Sequence, residues 1–201
     1  MSTTEQTAVR QLRADARRNR ERILEAAKEV FGEDGADAQM DDVARRAGVG
    51  VGTVYRHFPN KDVLMGELVT EKFTGFTEAA REALKEDDAW EGFSELLHGT
   101  AEHMAENVAL QDALRTTGKA FEYAEPARLE LNAVMDKLIK RAQRQGTMRK
   151  DFKADELGML MSGLCASMSG PLPEQRNWQR HLEILLDGLR AKPGARPRRA
   201  S

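Results

Sequence analysis

The chain has 201 residues, with 31 basic and 33 acidic side chains and a formal net charge of −2 at pH 7. That length can bury a core without metal or disulfide staples, and the single cysteine, Cys165, excludes an intrachain disulfide and fits a reducing cytoplasm. Only 5% of residues are aromatic and 32% are charged, no run of 18 apolar residues occurs, and MSTTEQTAVRQLRADARRNR lacks an apolar h-region, so neither a membrane span nor a secretory leader is expected.

Charge distribution says more than the total. Arg10, Arg13, Arg17, Arg18, Arg20 and Arg22 crowd the amino-terminal segment against only Asp15 and Glu21. Lys192, Arg196, Arg198 and Arg199 form a second basic cluster at the other end. Residues 1–14 are polar and read as a flexible basic arm. A helix is then predicted over residues 15–33, where Ile23, Leu24, Ala27, Val30 and Phe31 recur at helical spacing, and Gly35 ends it. After a connector over residues 36–40, Asp41 and Asp42 open a second helix, where carboxylates favour the dipole. Val43, Ala44 and Ala47 are its apolar face. Gly48 stands where a helix ends at positive φ, Val49 is expected under the turn, and Gly50 is an acceptable N-cap for a third helix over residues 51–58. In that helix Val54 and Phe58 lie four apart and point to the core, while Gly52, Thr53, Tyr55, Arg56 and His57 fall opposite. This is the pattern of a helix-turn-helix whose second helix is offered to the DNA major groove.

Pro59 blocks continuation, and Asn60 caps a fourth helix with the stripe Met65, Val69, Phe73 and Phe76. Five more helices are predicted, giving about nine. They cover residues 88–107, 110–117, 126–145, 154–170 and 175–191. Gly118 to Glu125 reads as a loop or distorted segment, Pro126 as a first-turn proline, and Pro171 and Pro173 as breaks. The organisation expected is all-α: a flexible basic arm over 1–14, a three-helix DNA-binding domain over 15–66, a larger helical domain over 67–191, and a disordered basic tail over 192–201.

Asp41-Asp42-Val43-Ala44, Ala47-Gly48-Val49, Gly52-Thr53-Val54-Tyr55-Arg56-His57-Phe58 and Asn60-Lys61-Asp62 together resemble the signature of the tetracycline-repressor (TetR) family. The resemblance runs from about Arg20 to Leu68. It departs at Gly50, where the family often has Ser, and at Gln39 or Met40, where it often has Ser or Thr. These are cap positions, so they bear on cap strength more than on function.

Arg56 is the candidate base reader, because a guanidinium matches guanine O6 and N7 with two bonds. Thr53 is placed for a phosphate or a thymine methyl, Val51 for a thymine methyl, and Gly52 lets backbone approach DNA closely. Tyr55, His57 and Lys61 are expected on phosphates, which set register without reading sequence. The resemblance implies DNA contacts at Thr53, Tyr55, His57 and Lys61. Arg17 and Arg18 either reach the flanking backbone or minor groove or form a solvated arm.

Leu157, Leu160, Met161, Leu164 and Met168, with Trp178, Leu182, Leu185, Leu186 and Leu189, form two stripes suited to a four-helix bundle between protomers, the pairing the resemblance implies. Small residues Gly158, Ser162, Gly163 and Ala166 would permit close helix approach. The resemblance also places a ligand pocket among Trp90, Phe93, Leu97, His98, Met104, Leu114, Phe121, Met135, Leu138 and Met159; any one of these also fits an ordinary core. That set is poor in fixed charge, so an apolar or amphipathic organic effector is expected, with His98, His103 or Tyr123 supplying a polar contact. His98 and His103 are five apart without a metal-binding motif, so no metal or other cofactor is expected. No nucleophile or phosphate-loop constellation occurs either, so an enzyme is not expected. The sequence points to a cytoplasmic, homodimeric regulator of transcription that binds a palindromic operator in double-stranded DNA; the resemblance implies that residues 67–191 serve ligand binding and dimerisation and that repression is relieved by ligand. Alternatives are a ligand-independent regulator or activator, or a helical adaptor reusing the scaffold.

Overall fold

The computed structural model describes residues 3–169 and 177–191. Pro171, Pro173 and the tail from Lys192 onward lie outside them, as does the expected start of the last helix at Gln175. The described residues are all-α, with ten helices: α1 Thr3–Asp34, α2 Met40–Ala47, α3 Val51–His57, α4 Lys61–Ala83, α5 Ala89–Glu106, α6 Val108–Thr116, α7 Gly118–Tyr123, α8 Glu125–Arg144, α9 Ala154–Met168 and α10 Trp178–Leu189. A single 3-10 turn, Gly35–Asp37, joins α1 to α2.

Two expectations are corrected. The basic arm continues α1 back to Thr3 instead of leaving it free up to residue 14. Its Gln, Ala, Arg and Leu are strong helix formers, and nothing between Thr3 and Phe31 is Gly or Pro. The segment from Gly118 is a helix, α7, with Ala120 and the C-cap Ala124 fully buried. Its apolar pattern is too short to outweigh the flanking Gly118 and Pro126 as a sequence signal, and packing supplies what propensity does not.

Side chains cap the helix starts, at Asn60 as the sequence predicts and at Asp88 as well. Asn60 Oδ1 accepts from the Val63 N–H at 3.0 Å to start α4. Asp88 Oδ1 accepts from the N–H groups of Trp90 and Glu91 to start α5, and Pro126 sits in the first turn of α8. At the other end of the chain α10 is pinned back: the Arg149 N–H donates to Leu189 O at 2.9 Å and the Ala191 N–H to Thr147 O at 3.0 Å. The Arg190 guanidinium lies 4.6 Å from the Trp90 ring centroid, covering that indole.

Two apolar clusters result. The larger joins α5, α8, α9, α10 and the end of α4 around Phe93, Leu138, Ile139, Leu164 and Leu182, all 1% exposed or less. The smaller joins α1, α2, α3 and the start of α4 around Ile23, Phe31, Val43, Val54, Phe58 and Leu64. Residues well beyond the expected boundary at residue 66 share this core. Ala113, Leu114, Ala120 and Ala124 from α6 and α7 complete this smaller core. The amino-terminal unit is therefore closed by a segment about fifty residues beyond residue 66, and α4 runs through both clusters.

Candidate nucleic-acid interface and internal cavity

The turn between α2 and α3 is built around Gly48, at φ 63° and ψ 38°. Its N–H and that of Val49 return to the last carbonyls of α2, with Val49 N to Ala44 O at 3.1 Å. Such a left-handed residue ends a helix at little steric cost only when it is Gly. Arg22 Nη2 adds a bond to Ala47 O at 2.6 Å, closing the same helix end from α1. Arg20 pairs with Glu67 at 2.5 Å and lies over the Phe58 ring. Arg46 is held by Glu29 and Glu33. Part of the basic cluster thus fixes the domain itself. Arg17 and Arg18 stay exposed, with Arg17 3.7 Å from Glu21 and Arg18 bonded to Asp15. Arg10 is exposed as well.

Val54 is fully buried and Phe58 is 1% exposed, so α3 is clamped by one face. The other face is open: Val51 is 40% and Tyr55 45% exposed, and Gly52 and Arg56 are exposed beside a half-buried Thr53. A Cβ added at Gly52 would meet nothing within 4 Å, so the open face is available for close approach. Arg56 folds back along its own helix, with Nε on Gly52 O at 3.0 Å and Nη2 on Thr53 Oγ1 at 3.3 Å. These are exposed bonds that water or a base edge can replace at little net cost. His57 is half-buried, its ring 6.3 Å from that of Phe58.

Lys61 has a second task that its sequence position does not reveal. Its ammonium donates to Ala36 O at 2.6 Å and Ala38 O at 2.8 Å, and lies 5.1 Å from the Phe31 ring centroid. It latches the α1–α2 connector to the start of α4 with two of its three donors. Lys61→Met should therefore lower stability by about 1–2 kcal/mol as well as reduce the salt slope of DNA binding by about one. Urea midpoints and binding at several salt concentrations measure the two effects; an unchanged midpoint would show that the latch contributes nothing.

A cavity of about 310 Å³ lies where α4, α5, α6, α8 and α9 meet, with Phe121 of α7 on its wall. Of the residues expected around a ligand, Leu97, Met104, Leu114, Phe121 and Met135 line it. Trp90, Phe93 and Leu138 sit in the larger core, away from its wall. His98 faces α10, with Nδ1 2.8 Å from Ser94 O and Nε2 3.2 Å from Glu183. His103 pairs with Glu106 on the surface, and Tyr123 is 53% exposed. Met159 points outward, 70% exposed. The expectation of a wall poor in fixed charge is corrected, since Lys72, Arg115, Arg128 and Asp155 all line the cavity, joined by Gln111 and Asn132. Lys72 carries a legible signal: it stands between Val69 and Phe76 in the apolar stripe of α4.

The stripes expected at a dimer surface are largely used within the protomer. Leu157, Leu164, Met168, Leu182, Leu186 and Leu189 are buried, and Leu157 and Met161 face the cavity. Leu160, Met161, Trp178 and Leu185 are half-buried against the same core. Alongside charged side chains such as Asp155, Glu156, Arg180, Glu183 and Asp187, α9 and α10 expose Met159, Ser162, Gly163 and Ala166, and Ile184 at 53%.

A model of bacterial regulatory proteins of the tetR family matches residues 23–68, and one of the carboxy-terminal domain of SbtR-like transcriptional regulators matches residues 88–191. An HTH-type transcriptional regulator of Staphylococcus aureus is 35% identical over 83 residues, which is 40% of this chain and 44% of that protein. The chain thus matches less than half the length of such curated relatives. Among solved structures, a TetR transcription regulatory protein from Mycobacterium vanbaalenii is 33% identical with a TM-score of 0.59, over 89% of this chain and 99% of that one. A TetR transcriptional regulator from Streptomyces coelicolor is 28% identical with a TM-score of 0.62, over 87% of this chain and 99% of that one.

Proposed function

The chain belongs to the TetR family of bacterial transcriptional regulators, and on that premise we propose that it is a homodimeric repressor that binds a palindromic operator and releases it when a small molecule fills the internal cavity. The carrying observation is α4. One continuous helix, Lys61–Ala83, begins against the helix-turn-helix and lines the cavity with Val69, Lys72, Phe73 and Phe76. A ligand that shifts these side chains shifts the support of α3. In a dimer on B-DNA, two recognition helices must meet major grooves about 34–36 Å apart. A small displacement at each cavity is then enough to spoil simultaneous docking. Among the described residues no helix is long and apolar enough to cross a membrane.

The operator is found by incubating the purified protein with genomic fragments and sequencing those retained. On that operator, Arg56→Ala should cost about 1–3 kcal/mol and relax preference at one base pair per half-site. Its side chain leaves the exposed face of α3 with only local bonds to exchange. Affinities measured over all single-base operator variants test this. A uniform loss on every sequence would make Arg56 a phosphate contact. Failure of every retained fragment to bind more tightly than random duplex would remove the proposed regulator function.

A further inference from the structure

Three cationic side chains line the cavity, and two are already matched. Arg128 donates two bonds of 2.7 Å to the Glu125 carboxylate, and Arg115 donates to Asp112 at 3.3 Å. Lys72 is different. Its ammonium donates to the amide oxygen of Gln111, a neutral acceptor on a side chain only 5% exposed, and lies 5.7 Å from the Phe76 ring centroid. Among the described residues no ion pair joins Lys72 to a carboxylate, and none contributes to its charge balance. Desolvation holds its pKa below the ordinary lysine value. The neighbouring Cys165 does not neutralise it, because burial pushes that thiol up and keeps it protonated near neutral pH.

A desolvated ammonium without a counter-charge is a standing cost that an incoming anion relieves. We infer that the cavity takes a small anionic amphiphile, with one carboxylate seated on Lys72 beside Gln111 and an apolar body among Phe73, Phe76, Leu97, Met104 and Met135. The inference rests on the effector reading above and narrows its ligand class. Asp155, the remaining carboxylate on the wall, is exposed in the first turn of α9 and does not contribute to the Lys72 charge balance, so one desolvated cation calls for one negative charge, and about 310 Å³ lies at the small end of organic ligand sites. An open groove between α4 and α5 shares Lys72, Phe76 and Gln111 with the cavity and exposes Glu78, Glu82, Glu86 and Glu95. Those carboxylates stand in water, where charge beyond about 8 Å is screened at physiological ionic strength. They oppose the approach of an anion more than its final seat.

The full chain is titrated by calorimetry with octanoate and decanoate and with the matched alcohols. The acids should bind about tenfold to a hundredfold more tightly, the range for a hydrogen bond to a charged group. They should also slow alkylation of Cys165, the only thiol in the chain, which lines the same wall. In Lys72→Met the preference for acid should vanish while alcohol affinity holds, and Lys72→Arg should keep the preference. Equal binding of acid and alcohol to the unaltered protein, a preference that survives Lys72→Met, or no binding of any acid overturns the inference. If the alcohols alone bind and still weaken operator affinity, the anionic ligand is wrong and the effector reading stands. If acids bind as expected but operator affinity is indifferent to them, the ligand class stands and ligand relief falls.

Discussion

Gly163→Arg should leave a folded protomer and abolish tight operator binding. Gly163 is on the exposed face of α9, and a Cβ added there would meet nothing within 4 Å. Arg is also a better helix former than Gly by nearly 1 kcal/mol, so the isolated protomer should gain stability. Only a partner laid against this face would object. The surface has the character of a close helix contact: Ser162, Gly163 and Ala166 are small, and Met159 and Ile184 expose large apolar side chains at 70% and 53%. Two linked half-site readers gain about a hundredfold to ten-thousandfold over one through effective concentration. Sedimentation should show Gly163→Arg as monomer with an unchanged or raised melting temperature, and operator affinity should fall by that factor. A variant that stays dimeric and keeps its affinity would place the interface elsewhere.

That face shows where periodicity stops being informative. The stripes Leu157–Leu164–Met168 and Leu182–Leu186–Leu189 were legible as buried, and they are buried. Periodicity reports that a face is covered, not by what, and here the cover is the protomer's own α5 and α8 together with the cavity. The helix-turn-helix was legible almost residue by residue, because each feature has a local cause: Gly48 for the left-handed cap, Asn60 for the N-cap, and Val54 with Phe58 for the buried face. The interplay of the two halves was not. Lys61 binds carbonyls twenty-five and twenty-three residues away, and α7 joins α6 in filling a core whose other buried members precede Ala120 by about fifty residues or more. Such contacts depend on how helices cross, which no local pattern encodes. Lys72 was readable as an anomaly, a cation inside an apolar stripe, but its lack of a carboxylate partner required the arrangement of α6 and α8 around it.

Gly66→Val should lower stability and uncouple effector from operator, although Val is the better helix former. Gly66 is buried in α4 where α7 crosses it. A Cβ there would stand 2.6 Å from the Tyr123 Cβ, with the ring's Cδ2 and Cγ at 3.0 and 3.1 Å. The closest atom is not the far end of a flexible side chain, so α7 itself must move away. Overpacking of this kind costs about 1–3 kcal/mol. Moving α7 disturbs both units at once: Ala120 and Ala124 belong to the core under α3, and Phe121 lines the cavity. The position thus bears on both at once. A second substitution separates this from ordinary damage. Tyr123→Gly removes the opposing Cβ and ring at a half-exposed site, so Gly66→Val should cost markedly less in that background than in the native one. Urea midpoints of the four proteins give the interaction energy. Titration of an effector with and without operator duplex gives the coupling, which linkage requires to be the same from either side. A Gly66→Val protein as stable as the parent, with its coupling intact, would show that α7 does not transmit between cavity and recognition helix.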